Sequence, residues 1–222
     1  MKLSAVILAR VLAFADTNDL DFKGSVFYPH FIAKLVERYQ FQKFPTSFAE
    51  VDEGKGIVFE EGLAGDIVIQ KFTIFGHLLA IETRSNTRHS QAALQDIASW
   101  GTATFGLKPL HEVVRQWAFV SDLTFTSDVD ILGTAPLSNL ADKVNTAISD
   151  IWKSPVQYYP LIAGIGHDPL ARKNGIASFT ISRRIEVPFS EHKYYSEAPL
   201  PTDLHIQFLE EYESDVRTLM AR

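Results

Sequence analysis

The chain has 222 residues, 46% of them apolar and 22% charged, enough for one large domain or two small ones and for a real core. It has no cysteine, which excludes disulfides, thiolate metal sites and a cysteine nucleophile, and no tract near the ~18 apolar residues of a membrane-spanning helix. The net charge of −6 disfavours a free-standing nucleic-acid binder, because such proteins draw much of their affinity from Lys and Arg on phosphate. These features fit a cytoplasmic protein away from membranes.

Leu3 to Ala15 is apolar on both parities, with Ile7, Ala9 and Val11 on one and Val6, Leu8 and Leu12 on the other. That pattern predicts a strand covered on both faces. Met1-Lys2 and the following apolar run mimic a short secretory signal, but Arg10 inside the run opposes insertion, so a strand is the reading. Tyr28 to Tyr39 reads as a helix, with Phe31, Ile32, Leu35, Val36 and Tyr39 on one side and Pro29 in the first turn. Phe41 to Phe48 is an aromatic loop. Ile57 to Phe59, Asp66 to Phe75 and Leu78 to Thr83 read as strands, separated by turns at Glu61–Gly65 and Gly76-His77. A helix follows from Thr87 to about Phe105, closed by Gly106.

Val113 to Ser127 reads as a second long strand. Pro136 to Trp152 has the clearest helical pattern, with Leu137, Leu140, Ala141, Val144, Ala147, Ile148 and Ile151 recurring on one face. Val144 and Ile148 are therefore expected in the core. Tyr158 to Ile165 and Ile176 to Val187 read as a hairpin turning at Asn174-Gly175. Pro188 to Pro201 reads as irregular, and a helix follows Thr202 with Leu204, Phe208, Leu209, Tyr212, Val216 and Leu219 inward.

This order predicts an α+β fold, a mostly antiparallel sheet with helices, because most strand connections are short. The chain reads as a single α+β domain over 1–222. A strand, a helix opening at a proline, further strands and a helix opening at a threonine come twice, at Pro29 and Thr87 and again at Pro136 and Thr202. This raises the expectation of an internal duplication of a β-α-β-β-α unit about a pseudo-twofold, with halves 1–108 and 109–222. The arrangement is similar to the saddle of TATA-binding-protein-like folds by element order only, and such a likeness implies no function.

No stretch carries a reaction signature. Gly54-Lys55-Gly56 lacks the spacing of a P-loop, Gly164-Ile165-Gly166 lacks the third glycine of a dinucleotide fingerprint, and no His pair has the spacing of a helical zinc site. No cofactor or metal is expected. Arg84, Arg88 and His89, beside Glu82 and Asn86 at a strand-to-helix junction, are candidates for holding a phosphate or carboxylate. Ordinary capping of the helix is the stronger reading of the same residues. His167-Asp168 opposite Arg183-Arg184 offers a proton relay in principle, although neighbours on a strand point apart and structural ion pairing is favoured. Thus His89, His167 and Asp168 are weak catalytic candidates.

Two aromatic segments, holding Phe41, Phe44 and Phe48 and then Phe189, Tyr194 and Tyr195, are candidate protein interfaces. The leading expectation is a non-enzymatic protein acting through contacts with a protein partner or by self-association, with nucleic acid and membrane disfavoured. The alternative is a small hydrolase or transferase acting on an anionic substrate.

Overall fold

The computed structural model describes residues 1–21, 23–24, 26–152, 157–168, 170 and 177–221. Strands are β1 (Lys2–Phe14), β2 (Ile57–Ala64), β3 (Ile67–Phe75), β4 (Leu78–Thr83), β5 (Gln116–Thr126), β6 (Ile162–Ile165), β7 (Phe179–Arg183) and β8 (Lys193–Ala198). The helices are α2 (Tyr28–Tyr39), α3 (Thr87–Phe105), α5 (Ala135–Trp152) and α6 (Thr202–Met220), with single turns α1 (Thr17–Leu20) and α4 (Leu110–Val113). The strands form one antiparallel sheet in the order β2-β3-β4-β1-β5-β8-β7-β6, so the fold is α+β.

Contacts divide the chain into two compact units. One holds Val6–Ser121 and Pro199–Thr202; the other holds Met1–Ala5, Asp122–Ala198 and Asp203–Arg222.

In the first unit, β1 pairs with β4, β4 with β3 and β3 with β2, all antiparallel. The register aligns Val11, Ile81, Phe72 and Phe59 in one row and Ala13, Leu79, Ile74 and Ile57 in the next, and all of these are buried. Helix α2 adds Phe31, Ile32 and Leu35 to this core, and α3 adds Leu94 and Ile97. The helix signals act as read. Asn86 accepts the Arg88 N–H at 2.8 Å, and Gly106 ends α3 at φ 70°. The other face of β1, with Leu8, Arg10, Leu12 and Phe14, is only half-buried, and Leu3, Ala5 and Ile7 are exposed. The expectation of cover on both faces therefore fails for this strand.

Strand β2 runs on through Gly62, which was read as part of a turn. The Phe41 ring occupies the space a side chain would need there: a Cβ at Gly62 would lie 2.4 Å from Phe41 Cε1. Phe41 is buried and also packs on Phe59, with ring centroids 5.4 Å apart.

In the second unit, Leu123 and Phe125 of β5, Ile131, Leu132, Tyr194 of β8, and Leu209 and Val216 of α6 are buried together with Ile181 of β7. Strands β6 and β7 pair antiparallel, as do β7 and β8. The turn read at Asn174-Gly175 lies outside the described residues. Pro188 to Pro201, read as irregular, contains β8. Tyr194, Ser196 and Ala198 are buried, whereas Lys193, Tyr195 and Glu197 are half-exposed, so the period of two is present. The alternation is faint in the sequence because a small polar residue, Ser196, stands among the inward positions. At the start of β5 the correction is opposite: Leu110–Val113 is a helical turn and the strand begins only at Gln116.

Helix α5 departs furthest from expectation. Val144 and Ile148 are half-buried, not core, and Leu137, Leu140 and Ile151 are 41%, 57% and 69% exposed. An amphipathic pattern fixes which side of a helix is apolar; it does not fix what covers that side.

Candidate functional site

Arg84, Arg88 and His89 are all exposed. The start of α3, where an anion would sit, is already occupied. The Thr87 N–H donates to Thr202 Oγ1 at 3.0 Å, the Arg88 N–H to the Asn86 side chain, and His89 Nδ1 is 3.0 Å from Ser85 Oγ. Capping therefore engages the backbone donors of Thr87 and Arg88 at the start of α3.

His167 and Asp168 are exposed, and Asp168 accepts the Leu170 N–H at 2.8 Å. Arg183 faces elsewhere. Its side chain is 1% exposed and donates to both oxygens of Asp130 at 2.5 Å. It also donates to the carbonyls of Pro160 (2.8 Å) and Phe189 (3.4 Å). The guanidinium lies over the Phe189 ring at 5.2 Å and the Tyr194 ring at 5.7 Å. The Tyr194 hydroxyl donates to Asp130 at 3.2 Å. Burial pushes the Asp130 carboxyl up, but the Arg183 hydrogen bond and charge, with the Leu132 N–H and the Tyr194 hydroxyl, bring it below the usual carboxylate range. Burial, then the Asp130 charge, pushes the Tyr194 phenol up, so it remains a donor at neutral pH. This pair fastens three loop segments, with Arg183 buried and the Asp130 side chain 31% exposed.

A Ser–His contact that sequence reading did not find lies between Ser196 Oγ and His205 Nε2, 2.8 Å apart, both residues fully buried. Ser196 Oγ also donates to the Thr180 carbonyl at 2.7 Å. The single hydroxyl proton is thus committed to a carbonyl, and the histidine nitrogen acts as the donor. A nucleophile–base pair needs the reverse arrangement and access for a substrate. Among the described residues, no group of three or more His, Asp or Glu could hold a metal ion.

The sheet surface opposite the first unit's core carries a row of alternating charge. Lys43 pairs in register with Glu60, Glu60 with Lys71, Lys71 with Glu82, and Glu82 with Arg10. Arg10 also donates to Glu82 at 2.9 Å. Opposite signs side by side offset one another, so the row is not the basic stripe that phosphate binding requires.

The candidate interface aromatics separate. Phe41 and Tyr194 are buried within the chain, which removes them from any interface. Phe189 and Tyr195 are half-buried, the former against Arg183 and edge-on to Tyr159 at 5.6 Å. Phe44 and Phe48 are exposed. The larger apolar surface lies elsewhere, on α5 and beside it. Leu137, Leu140, Val144, Ala147 and Ile151 follow the 3-4-3-4 spacing of a helix–helix seam. Asn145 holds the next segment alongside through two hydrogen bonds to the backbone of Tyr158, and Leu161, Ile162 and Ile165 are exposed there.

The first unit also contains a cavity of about 80 Å³ in its core, walled by Phe31, Phe72, Ile74, Leu79, Leu94 and Ile97. Its polar lining is Thr17, Asp21, Tyr28 and Lys108.

No protein-family model matches this chain, and no curated protein matches it in sequence. Among the described residues, no helix is long and apolar enough to cross a membrane.

Proposed function

We propose that the protein works through protein contacts as a subunit of a homo-oligomer, with α5 of one copy packed antiparallel on α5 of a second. The observation that carries this reading is the exposed apolar seam of an 18-residue helix whose own chain leaves Leu137, Leu140 and Ile151 in solvent. The pattern is self-complementary. Reflected about Val144, Leu137 meets Ile151, Leu140 meets Ile148 and Ala141 meets Ala147. That is what a twofold contact requires, since each side must present the same patch. The polar flanks agree: Asp142 meets Thr146, Lys143 meets Asn145 and Asp150 meets Ser138, so no like charges face each other. A two-helix contact alone falls near the small end of stable interfaces, and the neighbouring Leu161, Ile162 and Ile165 extend it.

The test is light scattering across a concentration series on the purified chain. Wild type gives twice the chain mass, and Leu140→Glu gives the monomer with an unchanged circular dichroism spectrum. A wild-type protein that stays monomeric at tens of micromolar would remove this reading.

A further inference from the structure

We propose that the core cavity of the first unit is a binding site for the end of a short unbranched apolar chain bearing an uncharged hydrogen-bonding head. This rests on the cavity alone and is independent of the α5 contact. Its apolar walls come from four elements, with Phe31 from α2, Leu94 and Ile97 from α3, Phe72 and Ile74 from β3, and Leu79 from β4. Each of these residues is at least nine-tenths buried and fixed by the surrounding core, so the walls cannot simply close on the space.

The polar lining gives the other half of the specificity. Thr17 Oγ1 donates to Glu53 at 2.8 Å and the Tyr28 hydroxyl donates to the other oxygen of the same carboxylate. Asp21 and Lys108 line the cavity as well, so both signs of charge are present and neither a net anion nor a net cation is selected. A hydroxyl or amide head, able to donate and accept, suits such a rim. The volume sets the length. At roughly 30 Å³ for each water-sized group, about 80 Å³ admits about two to three carbons and no more.

The experiment is a titration of the full chain with straight 1-alkanols from methanol to 1-octanol, following the methyl resonances of Leu79, Leu94 and Ile97. Saturable shifts are expected at those methyls, with affinity rising about fourfold per added carbon. The rise should stop once about three carbons are inside. Ala98→Leu, which fills the cavity from α3, should abolish the shifts while keeping the wild-type circular dichroism spectrum. Should that variant not fold, Val26→Phe, another cavity-lining position, serves the same purpose. No saturable shift for any alkanol, an affinity that climbs without levelling through 1-octanol, or a response that survives in a folded filled variant would each overturn the proposal.

Discussion

Thr87 and Thr202 exchange hydrogen bonds: the Thr87 N–H donates to Thr202 Oγ1 at 3.0 Å and the Thr202 N–H donates to Thr87 Oγ1 at 2.9 Å. Each residue opens a helix, and each satisfies a backbone donor that the other's helix start leaves without an intrahelical acceptor. Both are about 1% exposed, so water cannot substitute. Thr87→Ala and Thr202→Ala should each cost about 1–2 kcal/mol, and by similar amounts. Thr→Ser at either site should keep most of the stability. Urea denaturation midpoints check this, and an alanine variant as stable as wild type would show that the exchange does not matter.

The Asp130–Arg183 pair makes a prediction about acid. The folded Asp130 carboxyl titrates below its ordinary value, so its contribution to stability is complete above the unfolded value near pH ~3.9. It is lost as pH falls through the lower, folded value. Asp130→Asn should therefore flatten the fall in stability between about pH 4 and pH 2. It should also destabilise the protein at neutral pH by about 3 kcal/mol, because Arg183 would stay buried without its counter-charge. Denaturation midpoints measured across that pH range for both proteins decide the matter.

Gly62 should tolerate no side chain. Gly62→Ala would push a methyl group into the Phe41 ring, which is itself clamped against Phe59. A loss of about 1–3 kcal/mol is expected from the overpacking. Gly62→Ala combined with Phe41→Leu should lose less than the sum of the two single changes. Additive losses would mean that the two positions do not compete for the same space.

Much of the fold was legible because local chemistry and tertiary packing agree. Pro29 sits in the first turn of α2, Gly106 ends α3, and the apolar periodicity of both helices points into the core. Reading failed where the deciding partner is distant. Arg183 and Asp130 are 53 residues apart, and nothing near either identifies the other. Tyr194 sits in a segment with three prolines and many polar residues, so its burial follows from β8 joining the sheet and not from its neighbours. The α5 stripe is apolar as its periodicity predicts, but the chain's own core covers it only in part. Periodicity gives the same signal whether the covering surface is the chain's own sheet or another molecule.

The same exposure separates stability from association. Leu140→Ala and Ile151→Ala, measured at concentrations low enough to keep the chain monomeric, should move the denaturation midpoint by the equivalent of less than about 1 kcal/mol, since little burial is lost. At high concentration both should weaken self-association. A loss of several kcal/mol in the monomer would show that these side chains belong to an intramolecular core.

The most direct measurement of the α5 contact uses the absence of cysteine from the chain. Val144→Cys places a single thiol on the axis about which the apolar positions of α5 are symmetric. Mild oxidation should convert this variant to a disulfide-linked dimer, because antiparallel helices crossing there bring the two thiols within bonding range. Leu137→Cys alone should not link, since its own copy would lie about 20 Å away along the helix, whereas a mixture of Leu137→Cys and Ile151→Cys chains should. Failure of Val144→Cys to link above the level of an exposed control such as Asp142→Cys, or equal linking at 137 and 144, would contradict the antiparallel α5 contact.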